Sequence, residues 1–390
     1  MEESDKTNTH SSTASSPRTT MQVSPNPIFQ MVIGFWVSKT LMTAVELEIF
    51  TKLSGNKAVN INEFQNMLDM QKRPAEVFAT ALVSLGLLNV TIGKEEGGKG
   101  ETGIVNIDEH KRVYSNSQLS EVFLDKNKPS YIGDFIIMMD KHLYNRWDKL
   151  AVSLKTNQPV EAAATAEGDN NISAGTMFDK AKSNQLTEQM EMFTHAMYGV
   201  SVGPAMALPK IFDFSSYNKL MDIGGGSGVY AIEVVKQNPK TSAVVLELEP
   251  ACRVADQYIK RFNLEGKIHT QVLDFFKDNL PTDYDVALLS HIIHFLDEEK
   301  DKILLKKIYD SLPNDRNSAI IISEWLLNDE KTGPVPSALM SLTMIVDQPQ
   351  GRNYSFSEVS KMLTDVGFTN IEKRPLAGPA EIVIGYKNRK

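Results

Sequence analysis

The segment Leu220–Gly228 reads LMDIGGGSG, an apolar run ending in Asp222, three consecutive glycines and a Ser-Gly pair, and the helix-forming stretch VYAIEVVKQN follows it directly. This order predicts a strand, a tight turn and a helix start. Glycine lets the main chain turn sharply and lets a ligand approach it closely, and a helix N-terminus carries N–H groups without intrahelical partners. A second strand pattern, SAVVLEL at Ser242–Leu248, carries Glu247, whose carboxylate can accept both hydroxyls of a ribose. Together these features predict a nucleoside-cofactor site; a purely structural turn in an α/β protein is the alternative.

The dinucleotide fingerprint G-x-G-x-x-G needs a glycine at its sixth position to pack helix on strand. Counting from Gly224, that position is Val229, and the spacing is instead Gly224-x-Gly226-x-Gly228. Led by Asp222, this resembles the first motif of S-adenosylmethionine (SAM)-dependent methyltransferases.

At 390 residues the chain is long for one domain. Its net charge of −8 argues against a nucleic-acid binder, which presents a basic face. A single cysteine, Cys252, rules out an internal disulfide framework. No run of 18 apolar residues occurs, so no spanning helix is expected. The N-terminus is polar and carries Glu2, Glu3 and Asp5, unlike a signal or transit peptide, which points to a cytoplasmic protein.

Residues 1–22 are rich in Ser and Thr and poor in large apolar side chains, as expected of a disordered tail. From Pro27 to Phe50 apolar residues run round much of a helix, a surface that needs burying on more than one side. A partner subunit would cover it, as would internal packing; dimerisation is the favoured expectation. The segments AVELEIFTKL, INEFQNMLDM and RPAEVFATALVSLGLL predict three helices, with two short strands after them around a Gly-rich turn, a winged-helix arrangement. DNA binding is a rival reading for such a module, but its third helix offers only Lys72 and Arg73, too few cations to neutralise phosphates. Residues 118–200 read as helical, with a small, polar loop at 158–175. From about Pro209 strands alternate with helices: KLMDIGG, SAVVLEL, KIHTQVLD, YDVALLSH, SAIIISEWL and AEIVIGYK. The expected fold is α/β, a C-terminal doubly wound, Rossmann-like domain at 201–390, preceded by a mainly helical, winged-helix-like dimerisation domain at 23–200.

From about Phe29 onward the chain resembles the plant- and bacterial-type small-molecule O-methyltransferases. Matching segments are AVELEIFTKL, ATALVSLGLL, LYNRWDKL, FDFSSYNKLMDIGGGSG, LDFF, HIIHFLDEE and GRNYSFSEVSKMLTDVGF. The resemblance implies a homodimer that uses SAM. It places Asp222, Gly224, Gly226 and Gly228 near the amino-acid part of the cofactor, Glu247 on the ribose, with Glu249 as a competitor for that role, and Asp274 and Phe275 beside the adenine. Ser290 stands where plant members often have Lys.

An acceptor hydroxyl is a weak nucleophile unless its proton leaves as it attacks, and His can take that proton near neutral pH. The resemblance picks His294 as this base, over His291, with Glu324 as the carboxylate that orients it. Two departures stand out: Phe295 follows the base where the family commonly has Asp, and Asn353 stands where it has a second Glu. They keep a C-methyltransferase or a non-methylating relative open as readings, beside a SAM-sensing regulator. Phe193, Met197 and Met344 match acceptor-lining positions, with Met138, Trp147, Trp325 and Met340 as expected neighbours; a Met- and aromatic-lined slot suits a flat, apolar acceptor. The expected acceptor is a small aromatic, polyketide-like or isoprenoid hydroxyl. No metal is expected, since no acidic or His cluster with ligand spacing stands out near the site.

Overall fold

The structure, a computed structural model, describes residues 23–92, 112–159, 174–182, 187–315 and 317–387. The expected tail at 1–22, the turn of the wing and most of the loop at 158–175 lie outside the described residues.

The N-terminal part is built on helices Asn26–Val32, Gly34–Glu46, Ile61–Met67 and Lys72–Ser84 and a small antiparallel sheet of β1 (Val59–Asn60), β2 (Leu88–Ile92) and β3 (Arg112–Asn116), ordered β1-β3-β2. Asn60 and Glu63 close a capping box at the start of the third of these helices. Gly86, with φ +70°, ends the fourth. Ile49, Phe50, Phe64 and Leu82 fill the core between them.

The apolar face anticipated at Pro27–Phe50 divides in two. Its C-terminal half, including Val45, Ile49 and Phe50, is buried internally. Its N-terminal half is not: Phe29 is 62% and Trp36 60% exposed, and Ile28, Met31 and Phe35 are exposed beside them. By length and composition alone Asn26–Glu46, with a mean hydropathy of 1.4, reaches what a membrane span needs, although the helix is interrupted at Ile33.

Helix Thr187–Ile211 joins the two parts. It packs on helix Gly133–Met138 on one side and on helices Val229–Gln237 and Glu249–Arg261 on the other. It runs through residues 200 and 201, where the boundary between the two expected domains lies.

The C-terminal part is a seven-stranded sheet ordered β6-β5-β4-β7-β8-β10-β9. Strands β4 (Lys219–Ile223), β5 (Ser242–Glu247), β6 (Ile268–Val272), β7 (Val286–Ser290) and β8 (Ser318–Glu324) are parallel. β10 (Glu381–Lys387) and β9 (Thr369–Pro375) complete the sheet antiparallel. Helices cover both faces, so the central strands read as continuous apolar runs, and Ala319, Ile320, Ile321 and Ile322 of β8 are fully buried. All six strands expected from the sequence are present; β9, with the polar run TNIEKRP, was missed because it is an edge strand whose side chains remain largely exposed. Strand order reverses between β4 and β7, and the crevice beyond the carboxyl ends of strands at such a switch point is where open α/β sheets bind ligands.

Candidate active site

A cavity of about 340 Å³ opens at that switch point. One wall is the glycine turn after β4. Gly224 and Gly226 adopt φ of +64° and +55°, a region in which an L side chain is strained. Nothing lies within 4 Å of where a Cβ of Gly226 would stand, so the main chain there is open to a ligand. Glu247, at the end of β5, lines the cavity while one of its oxygens accepts the Leu248 amide hydrogen. Burial pushes its carboxyl up to about 7. Asp274, Phe275 and Ser290 line the same cavity. Burial alone would raise Asp274, but the Phe276 amide and the Lys277 ammonium hold it below its ordinary value.

Two residues expected beside the cofactor stand behind the wall. Asp222 is fully buried, and its carboxylate lies under the turn, 2.6 Å from where a Cβ of Gly225 would be. Burial pushes this carboxyl to about 7 as well. Gly228 caps helix Val229–Gln237 with φ +71° and packs on Val245. Both shape the turn without lining the cavity. Glu249 faces away, paired with Arg253 at 2.9 Å, so Glu247 is the acid of this strand end that reaches the site.

Beside the cavity the chain brings together an imidazole–carboxylate pair. His294 sits in a single 3-10 turn after β7, and Glu324 ends the neighbouring strand β8. His294 Nδ1 lies 2.6 Å from Glu324 Oε2, and both side chains are buried. Burial alone would raise Glu324, but the attraction and hydrogen bond of His294, and then the attraction of His291, hold it below its ordinary value. An ionised carboxylate only accepts, so the proton of a neutral His294 belongs on Nδ1 and its lone pair on Nε2. That Nε2 is buried and has no hydrogen-bond partner among the described residues.

His291 is the imidazole that lines the cavity, together with Phe295, while His294 lies behind them. Its backbone has φ +55°, unusual outside glycine, and its Nδ1 is 3.7 Å from the same Glu324 oxygen. Burial lowers its pKa to about 4. One donor atom from each of His291, His294 and Glu324 lies within 4.8 Å of the others. This corrects the expectation that no metal-ligand cluster exists: the two histidines are three residues apart, and the carboxylate arrives from the adjacent strand, a proximity that linear spacing does not reveal.

Comparison with known proteins identifies the family. The model for an O-methyltransferase domain matches residues 161–369, and that for an O-methyltransferase dimerisation domain matches residues 29–126. The chain belongs to the SAM-dependent O-methyltransferase family. A 3-hydroxy-5-methyl-1-naphthoate 3-O-methyltransferase from Streptomyces sahachiroi is 30% identical over 93% of this chain and 95% of its own length. The tetracenomycin polyketide synthesis 8-O-methyltransferase of Streptomyces glaucescens is 27% identical over 94% and 97%. Human N-acetylserotonin methyltransferase, solved in complex with SAM, superposes with a TM-score of 0.78 at 22% identity, covering 95% of this chain and 99% of that one.

The glycine turn with open main chain, Glu247 and the flat face of Phe275 fit the family's cofactor: they offer close main-chain approach, a ribose acceptor and an apolar platform on one cavity. The positions expected to line the O-methyltransferase's acceptor slot divide. Phe193 and Met197, on helix Thr187–Ile211, line the cofactor cavity. Phe193 also lines a second cavity of about 750 Å³, which includes Met138. Met344 is buried in helix Val335–Asp347, and neither it nor Trp147, Trp325 or Met340 lines either cavity. The Asn353 amide donates to the Trp325 carbonyl at 2.7 Å and accepts from Ser341 Oγ at 3.3 Å, tying helix Val335–Asp347 to the end of β8. Phe178, whose ring meets both Phe193 and Phe295 edge-on, lines the site but carried no signal in the sequence.

Proposed function

We propose that this O-methyltransferase methylates a hydroxyl on a small aromatic or polyketide-like acceptor with His294 as general base. Bound SAM supplies an electrophilic methyl group on a sulfonium. The observation that carries the base assignment is the 2.6 Å contact between His294 Nδ1 and Glu324 Oε2 beside the cavity. In this reading Glu324 holds the Nδ1 proton and stabilises the imidazolium, while Nε2 takes the acceptor proton as the hydroxyl oxygen attacks. Gly224, Gly226 and Glu247 hold the cofactor, and Asp274 and Phe275 frame its adenine. Phe178, Phe193, Met197 and Phe295 put an apolar wall on the cofactor cavity itself, which suits a flat acceptor, whereas the second cavity is lined by Lys39, Asp134, Asp140, Lys141 and His142 as well as Met138 and Phe193. The naphthoate and tetracenomycin relatives support a phenolic substrate class.

A second reading makes His291 the base, and its place on the cavity wall favours it. Methyl transfer from labelled SAM to a panel of phenols and hydroxynaphthoates, run with His294→Ala and His291→Ala, separates the two. The account predicts that only the first loses the chemical step.

The enzyme is further proposed to work in the cytoplasm as a homodimer. The match to the dimerisation domain and the exposed Phe29, Phe35 and Trp36 support a second copy covering the N-terminal apolar face.

A further inference from the structure

We infer that His291, His294 and Glu324 together form a binding site for one divalent transition-metal ion of the Zn²⁺ or Co²⁺ type. A base–carboxylate pair needs one imidazole, and here two converge on one carboxylate. His291 immediately follows β7, His294 lies in the 3-10 turn and Glu324 ends β8, so the donors come from three backbone segments fixed by the sheet. One atom from each falls within 4.8 Å of the others, and the two Nδ1 atoms lie 3.7 and 2.6 Å from Glu324 Oε2. Bonds of about 2 Å to a tetrahedral ion place neighbouring ligand atoms roughly 3.4 Å apart, a spacing those two distances bracket.

The polar bookkeeping points the same way. Among the described residues Glu324 Oε1 is buried without a hydrogen-bond partner, while Oε2 faces both imidazoles. Buried polar atoms are normally paired, so an orphaned carboxylate oxygen beside two converging imidazoles is available to a cation. His291 reaches its position only through a left-handed backbone conformation, which costs energy that the surrounding structure must offset. Two imidazoles and one carboxylate suit Zn²⁺, Co²⁺ or Fe²⁺ and are a poor match for Mg²⁺ or Ca²⁺, which prefer all-oxygen shells. His291 borders the cavity, so positions left open on the ion would face water or an acceptor oxygen.

Occupancy has a chemical consequence that rests on the proposed base. Ligation through His294 Nδ1 needs the lone pair of that nitrogen, so its proton must leave the bond to Glu324. In the neutral ring the proton then resides on Nε2, the atom assigned to deprotonate the acceptor. The ion and the base therefore exclude one another, and the metal acts as a reversible inhibitor of methyl transfer.

The test begins with metal-free full-length protein, titrated with Co²⁺ by visible absorption and with Zn²⁺ by calorimetry. Binding of S-adenosylhomocysteine verifies that the wild type and the variants His291→Asn and Glu324→Gln are folded. One tight site per chain is expected, with each variant weakening it by more than roughly tenfold, since losing a ligand costs at least as much as losing an outer-shell partner. Failure of both ions to bind the folded wild type, or binding that His291→Asn leaves unchanged, would overturn the site. In the activity arm Zn²⁺ should inhibit methyl transfer and a chelator should restore it. Binding that depends on His291 but leaves turnover untouched would keep the metal site and contradict the role of His294 as base.

Discussion

Gly351 packs its α-carbon against the backbone of His294, so closely that a Cβ at position 351 would lie 2.3 Å from the His294 carbonyl oxygen. The residue has φ +106°, which favours glycine independently of the contact. The segment before Asn353 therefore sets where the 3-10 turn stands, and with it the imidazole. Gly351→Ala must move backbone rather than a flexible side chain. It is expected to cost about 2–4 kcal/mol of stability and to lower kcat more than cofactor affinity. Thermal unfolding and steady-state kinetics on the one variant check both.

Glu324→Gln keeps the shape of the orienting side chain and removes its charge. The amide cannot stabilise an imidazolium, and it can present a donor to Nδ1, which favours the wrong tautomer. Turnover should fall by roughly 10²–10⁴, while S-adenosylhomocysteine affinity, measured by calorimetry, stays within about threefold of wild type because Glu324 is not on the cofactor wall.

The buried carboxyl of Glu247 makes cofactor binding depend on pH. Its pKa is raised to about 7, so below that value the free protein holds Glu247 protonated. A ribose diol donates to the ionised form, so ligand binding must release a proton in acid and affinity must fall as pH drops below about 7. Calorimetry with S-adenosylhomocysteine between pH 5.5 and 8.5 should show tightening toward the alkaline end, and Glu247→Gln should flatten the dependence while weakening binding overall.

Asp222 shares the upward shift of Glu247, but its effect falls on stability and runs the opposite way with pH. Burial raises its folded-state pKa to about 7, above the ordinary carboxylate value. Its contribution to the ligand-free protein is therefore fully present in acid and is lost as pH rises from about 4 through about 7. Asp222→Asn removes a titrating group with little change of shape. The melting temperature of the variant should lose less between pH 5 and 8 than that of wild type, and scanning calorimetry at the two pH values decides it.

What the sequence revealed, and what it did not, follows from how local each signal is. The Gly224–Gly228 turn, the acid at 247 and the buried strands were legible because each is written in consecutive residues. The pairing of His294 with Glu324 needed the family resemblance, since thirty positions separate them and only the β7–β8 pairing brings them together. The ring of His291 joining the same carboxylate was not legible, because it depends on a backbone twist after β7. At Asn353 the resemblance supplies the position, and only the structure shows its amide hydrogen-bonded to Trp325 and Ser341.

Charge placed on the exposed N-terminal face should separate the subunits. Phe29→Asp with Trp36→Asp touches no buried contact within one chain, since both residues are exposed there. Light scattering coupled to size exclusion should give a dimer for wild type and a monomer for the variant, with the variant's circular dichroism unchanged.

The central claim is that His294 removes the acceptor proton in a methyl transfer from SAM. The most direct measurement is single-turnover methyl transfer by His294→Ala, with the acceptor found in the phenol screen and S-adenosylhomocysteine binding confirmed in the same preparation. The account predicts cofactor affinity close to wild type and a chemical step slowed by roughly 10²–10⁴. A His294→Ala enzyme that binds cofactor and transfers the methyl group at the wild-type rate would contradict it.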